Sequence, residues 1–386
     1  MRSTSLAAFL AALPSAMSVK LLASHYTGQI YTLDFNAQAS TLTSTGSVGG
    51  CGRLPGWLEY YSSDNTVYCF DESWFGSGFI ASYNISSSGA LTQFQQAPTT
   101  GNDVHGLLYG GADGKGFVAT AQYSPSTITT YKLPLSASTK VLQIEKFTLA
   151  QPGPNVRQDV PHPHETLLDP TGKFILVPDL GADLIRIFAI DAASGKLTQC
   201  GNGQASPGDG PRHGKFFTSS ANQSILYTLN ELGNSVSAWT VSYSSGNCIS
   251  LALTQTLSTY AEGVTPGPTT KAAELHVRGN FLYAANRADQ TFGSQQDSIA
   301  TYTIDPATGK LAWLEAANAH AYYPRTFQIN KAGDLVAVGG QTSSNVAILK
   351  RDVETGKLGE VVASLVVATP GRPGEEDGLS AVVWLE

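Results

Sequence analysis

The chain is built around one repeated strand pair. In the clearest copy His164 opens a first strand, Leu167-Leu168 continues it, and Asp169-Pro170-Thr171-Gly172-Lys173 turns the chain. Phe174-Ile175-Leu176-Val177 then returns to Pro178-Asp179. Short apolar runs joined by such turns read as a β-hairpin. The same unit, polar at its open ends and apolar in the middle, begins again at Pro55, His105, Pro211, Ala273 and Pro324. A third strand follows each copy, for example Ser298-Ile299-Ala300-Thr301-Tyr302. A turn of recurring composition comes next in four of them: Ser88-Gly89-Ala90-Leu91, Ser194-Gly195-Lys196-Leu197, Thr308-Gly309-Lys310-Leu311 and Thr355-Gly356-Lys357-Leu358. Glycine suits the positive φ that such a turn needs. Four antiparallel strands repeating at about 50 residues are the signature of β-propeller blades.

The two ends complete the count. Leu379 to Leu385 reads as a first strand with no successors. Leu21-Leu22-Ala23-Ser24, Gln29 to Phe35 and Thr41-Leu42-Thr43 read as second, third and fourth strands with no first. The expected fold is therefore an all-β, seven-bladed β-propeller. One C-terminal strand pairs with three N-terminal strands to close the ring without an exposed sheet edge. A single propeller domain is expected over 19–386.

Composition agrees and narrows the function. Charged residues are only 14% of the 386-residue chain and glycines number 39, a profile of many turns and few helices. A net charge of −7 with no basic block argues against nucleic acid as a partner. Residues 1–18 place Arg2 before the apolar run Leu6 to Leu13 and end in small residues, which reads as a signal peptide. No later apolar run is long enough to span a bilayer, so a secreted, extracellular monomer is expected. Four cysteines fit an oxidising compartment. Of the three possible connectivities, Cys51–Cys69 and Cys200–Cys248 are expected because each pair lies in neighbouring strands of the repeat. Asn84 and Asn222 head glycosylation triplets. No metal or cofactor is expected: there is no close cysteine pair, and Gly49-Gly50-Cys51-Gly52 is a turn with no helix after it.

Antiparallel partners begin and end together. The polar open ends of the hairpins are therefore expected around one mouth of the central channel: His25, Glu72, His105, Gln122, His164, Asp179, Arg212, His213, Glu231, Glu274, Arg287, Arg325 and Gln341. Any one pair, such as Arg212–Glu231 or Arg287–Glu274, could be a strand-tying salt bridge. Three arginines and several histidines at one mouth point instead to an anionic ligand, since arginine grips carboxylates in bidentate fashion.

At these residues the sequence resembles the lactonase-type seven-bladed propellers, among them bacterial 6-phosphogluconolactonase and fungal carboxy-cis,cis-muconate cyclase. His164 with Leu168-Asp169-Pro170-Thr171-Gly172-Lys173-Phe174 carries the resemblance. So do Gly210-Pro211-Arg212-His213 with Tyr227 and Asn230-Glu231-Leu232, Leu282-Tyr283-Ala284-Ala285-Asn286-Arg287, and Pro324-Arg325. The resemblance implies a site on His164, Arg212, Glu231 and Arg287. Two stretches depart from the pattern: Asn102-Asp103-Val104-His105 replaces a short Pro-x-His approach, and Leu257 to Thr270 is an insertion.

Phosphogluconolactone and muconate are intracellular metabolites and do not suit a signal peptide. The chain is also similar to secreted fungal lyases of this fold that release rhamnose from glucuronate in gum arabic side chains. The expected function is thus a polysaccharide lyase acting by β-elimination on an anionic carbohydrate. Arg212 and Arg287 (or Arg325) would clamp the uronate carboxylate. His105 and His164 would serve as base and acid, and Glu231 would orient His213 or an arginine. His213, Arg287, Arg325, Gln341, Gln122 and Glu274 are the expected substrate contacts. The alternatives are a lactonase or muconate-type cyclase, and a non-catalytic glycan-binding propeller.

Overall fold

The structure is a computed structural model that describes residues 18–74, 78–243 and 248–386. The signal-peptide expectation, apart from Ser18, lies outside these residues.

The described chain forms seven four-stranded antiparallel sheets arranged as a ring. The first blade joins Leu379–Trp384 to Val19–His25, Gln29–Asn36 and Thr41–Gly49. Its seam is a strand ladder with Leu21 opposite Trp384 and His25 opposite Leu379, so the closure expected from the termini is present. Blades two to seven follow in chain order over 55–98, 103–146, 167–204, 211–258, 271–318 and 324–366.

Packing explains why the ring holds. Each face of a blade meets a face of its neighbour, and each of the seven interfaces carries its own apolar cluster. Between blades five and six, for instance, Tyr227, Val236 and Leu229 pack with Leu282, Tyr302 and Leu311. The recurring glycine turns add a polar latch. Tyr109, Tyr227 and Tyr283 donate hydroxyl hydrogen bonds to the carbonyls of Gly195, Gly309 and Gly356, each in the next blade, at 2.5, 2.6 and 2.6 Å. Those three glycines have φ between 70° and 73°, so the turn conformation aims the carbonyl.

In six blades the innermost strand slips register near its start: between Leu379 and Ala381, Pro55 and Trp57, Asp103 and His105, Pro211 and His213, Ala272 and Leu275, and Pro324 and Thr326. A bulge sets two residues of one strand against one of its partner. Arg212 and His213 therefore both reach the channel, although they are adjacent in sequence.

Blade four departs from expectation. Its innermost strand is only Leu167–Leu168, and His164 precedes it. Pro161 and Pro163 have no N–H to give a ladder, so in place of a regular ladder the chain there meets its partner strand at the Pro163–Asp179 bridge, through His164 N–H to the Pro178 carbonyl, and through His162, whose N–H donates to Asp179 Oδ1 and whose carbonyl accepts from Leu180 N–H.

Both disulfides are present as expected, with one change in setting. Cys51 lies before the strand Pro55–Tyr61 of its blade. Cys200 and Cys248 come from two blades, the fourth and the fifth, and tie their outer strands.

Candidate active site

The channel mouth is organised by Glu231. This carboxylate directly follows the second strand of blade five, Ser224–Asn230, and is 2% exposed. Oε2 lies 2.8 Å from Arg212 Nε and 2.9 Å from Arg287 Nη2, while Oε1 is paired with Arg157 Nη1. Burial alone would raise its pKa, but Arg157, Arg287 and Arg212 hold it well below the usual carboxylate range. Three guanidiniums thus share one negative charge. Burial and the facing Arg287 lower Arg212 to about 10, which leaves it cationic at neutral pH.

His164 borders the same cleft. The broken strand leaves its Nδ1 buried with no hydrogen-bond partner, while ring contacts to Tyr123 at 5.8 Å and His213 at 5.1 Å fix its plane. Burial first, then Arg212 and His213, push its pKa well below 6.5. It is therefore a neutral imidazole at physiological pH, able to accept a proton.

On the other side of the mouth Arg325 Nη2 binds Glu72 Oε2 at 2.7 Å, and the Tyr26 hydroxyl donates to the same oxygen at 2.5 Å. Glu72 fits because position 56 is glycine: a Cβ there would come within 2.6 Å of Glu72 Oε2. Gln341 closes this side, its Nε2 donating to the Glu375 carbonyl at 2.7 Å.

The expected residues do not all converge. His164, Arg212, Glu231, Arg287, Arg325 and Gln341 line or directly support the cleft. His105, His213 and Glu274 lie deeper. His213 Nδ1 donates to Glu274, with both carboxylate oxygens at 3.1 Å, so Glu274, not Glu231, orients His213. His105 stacks on Trp57 at 4.5 Å and faces a second cavity with Glu59, Glu165, Lys215 and His276. Gln122 is not a substrate contact in this geometry. Its amide donates to Asp103 at 2.9 Å and it accepts from Thr127 at 2.7 Å. His25 and Asp179 are likewise structural, bound to Ser344 and to Arg186. The second strand alternates, and these side chains fall between sheets instead of in the channel.

Sequence reasoning missed Arg157, Tyr123, Lys271 and the 374–376 loop, all of which line the cleft. Arg157 sits in a connecting segment with no repeat to align it. Arg157 Nη2 donates to Tyr123 Oη at 2.8 Å, and nothing in the repeat pattern announces that contact. Among the described residues no group of three or more His, Cys, Asp or Glu is placed to hold a metal ion.

A ring of seven such blades with an Arg–Glu–His mouth defines a class, and comparison agrees. Residues 20–373 match the family described as "Lactonase, 7-bladed beta-propeller", and the chain belongs to that family. It is 34% identical over 337 residues to an Arthroderma benhamiae protein named "Probable 6-phosphogluconolactonase", covering 85% of this chain and 81% of that one. It is 24% identical to the 6-phosphogluconolactonase of Bacillus subtilis, covering 88% and 92%. The solved structure of a periplasmic gluconolactonase from Pseudomonas aeruginosa superimposes with a TM-score of 0.78 at 23% identity, covering 96% of this chain and 99% of that one. These relatives overturn the expected polysaccharide lyase: those just described are named for lactone chemistry. A signal peptide bears on compartment and not on the bond that is broken.

Proposed function

We propose that this protein hydrolyses a sugar lactone to its aldonate. The observation that carries the reading is the placement of His164, a neutral imidazole with an unpartnered Nδ1, beside three guanidiniums that share one carboxylate.

The geometry supports a simple sequence. His164 takes a proton from a water molecule as the water oxygen bonds to the lactone carbonyl carbon. The carbonyl oxygen becomes an oxyanion, stabilised by the arginine side of the cleft. The tetrahedral centre then collapses, the bond from carbon to the ring oxygen breaks, and protonated His164 returns its proton to that oxygen. The product is an open chain with a carboxylate and a new hydroxyl, and ionisation of the acid releases one proton to solution. The expected anionic ligand is here the transition state and the product.

Export remains part of the proposal, supported by the cationic, then apolar, N-terminus and by the two disulfides. N-terminal sequencing of the protein from culture medium tests it.

The activity test is proton release from glucono-1,5-lactone and from 6-phosphogluconolactone, measured against spontaneous opening. Acceleration that disappears in folded His164→Ala supports the reading. Equal rates with and without enzyme for both lactones reject it.

A further inference from the structure

The cleft is electrically divided. Its wall on blades four to six carries Arg157, Arg212, Arg287 and Lys271 against the one carboxylate Glu231. Its wall where blades seven, one and two meet carries Arg325 against Glu72, Glu375 and Glu376, and behind it Arg372 pairs with Asp377 at 2.7 Å and Glu375 at 3.9 Å, so two guanidiniums face four carboxylates. The two walls therefore present opposite surplus charge across one small site.

The acidic wall is built, not incidental. Gly56 makes room for Glu72, and the Tyr26 hydroxyl and Arg325 fix it. The 371–378 loop is pinned by Arg372 Nε to Asp377 Oδ2 at 2.7 Å and by Gly371 N–H to the Thr342 carbonyl at 2.9 Å. Gly378 has φ +84°, and a Cβ there would strike the Gln341 carbonyl oxygen at 1.9 Å. Gln341 adds an independent sign of the ligand. It is 3% exposed, lines the cleft, and its Oε1 is a buried acceptor with no donor. A buried acceptor is costly until something donates to it. Sugar hydroxyls donate. A phosphate ionised at neutral pH is chiefly an acceptor, and it would meet three carboxylates.

Resting on the lactonase reading, we infer that the substrate is an unphosphorylated polyhydroxy lactone, with its carbonyl on the arginine wall and its hydroxylated tail on the acidic wall. Glu72, Glu375, Glu376 and Gln341 then act as the selecting residues. The 6-phosphate named for the relatives would lie in repulsive contact, and like-charge contact is an effective way to reject a wrong partner.

The experiment is calorimetric binding of the two aldonate products, gluconate and 6-phosphogluconate, to the full-length protein and to Glu375→Gln/Glu376→Gln. At least about tenfold tighter binding of gluconate, with the ratio narrowed in the double variant, is the expected result. Equal or tighter binding of 6-phosphogluconate by the unaltered protein overturns the inference, as does a ratio that the double variant leaves unchanged. Binding needs no turnover, so this outcome is separate from the rate test of the lactonase reading. If gluconate is selected but neither lactone is opened, the activity fails while the selectivity stands.

Discussion

Arg287 reaches back from blade six to Glu231 of blade five, Nη2 to Oε2 at 2.9 Å. The pair makes the mouth a single electrostatic unit instead of a row of independent hairpin ends. Replacing Glu231 by Gln leaves Arg157, Arg212 and Arg287 facing one another. Breaking a buried ion pair on one side costs about 3–5 kcal/mol, so urea unfolding is expected to show a loss of that order. The same variant is expected to lose lactone turnover by about a hundredfold or more. Because the folded carboxylate is held well below its ordinary 4.5, its contribution is present above pH 4.5 and is lost as pH falls through the lower folded value. Acid unfolding of Glu231→Gln is expected to lack that portion of the pH dependence.

The pH profile of catalysis tests the state of His164. Its folded pKa lies well below 6.5 through burial, Arg212 and His213, so the basic form persists into acid. The acid limb of kcat/KM is expected to fall below pH 6.5 rather than at it. An acid limb centred above 6.5 would contradict a buried neutral base. For stability the sign runs the same way: unfolding exposes a more basic imidazole, and stability declines as pH drops below 6.5.

The tyrosine latches predict a local stability effect. Tyr227→Phe removes the 2.6 Å bond to the Gly309 carbonyl while keeping the ring in its apolar cluster. A loss of about 1–2 kcal/mol is expected from an unmade buried hydrogen bond. Thermal unfolding with unchanged turnover is the measurement.

The two disulfides are expected to contribute unequally. Cys200–Cys248 closes 48 residues and Cys51–Cys69 closes 18. Chain entropy assigns roughly 4 and 3 kcal/mol to loops of these lengths. The Cys200→Ala/Cys248→Ala variant is therefore expected to lower the urea midpoint more than Cys51→Ala/Cys69→Ala, because it frees the larger loop in the unfolded chain.

Most of the fold was legible because hairpin, turn and strand recur and because the two ends complement each other. The site was legible where the repeat reached it: Arg212, Glu231 and Arg287 occupy corresponding ends of their blades. It failed in two ways. Strand alternation sends Gln122 and Asp179 between sheets, whereas the bulge sends two successive residues, Arg212 and His213, into the channel, and neither outcome shows in a list of hairpin ends. Arg157, Glu375 and Glu376 come from segments outside the repeat, where no internal copy exists for comparison. The bond broken was least legible, because an arginine–histidine mouth serves elimination and hydrolysis alike.

Ring closure bears on how the protein comes into being. The ladder between Val19–His25 and Leu379–Trp384 joins segments made at the beginning and the end of translation of the described chain. Blades two to seven can form as the ribosome delivers them, but the first blade must wait. Tyr26, Glu72 and the 371–378 loop meet at that seam. Glu72 and Arg325 belong to blades two and seven, so they can be in place with the arginine wall before Tyr26 and the 371–378 loop are locked against them. The acidic side of the mouth is thus the last part of the cleft to be completed.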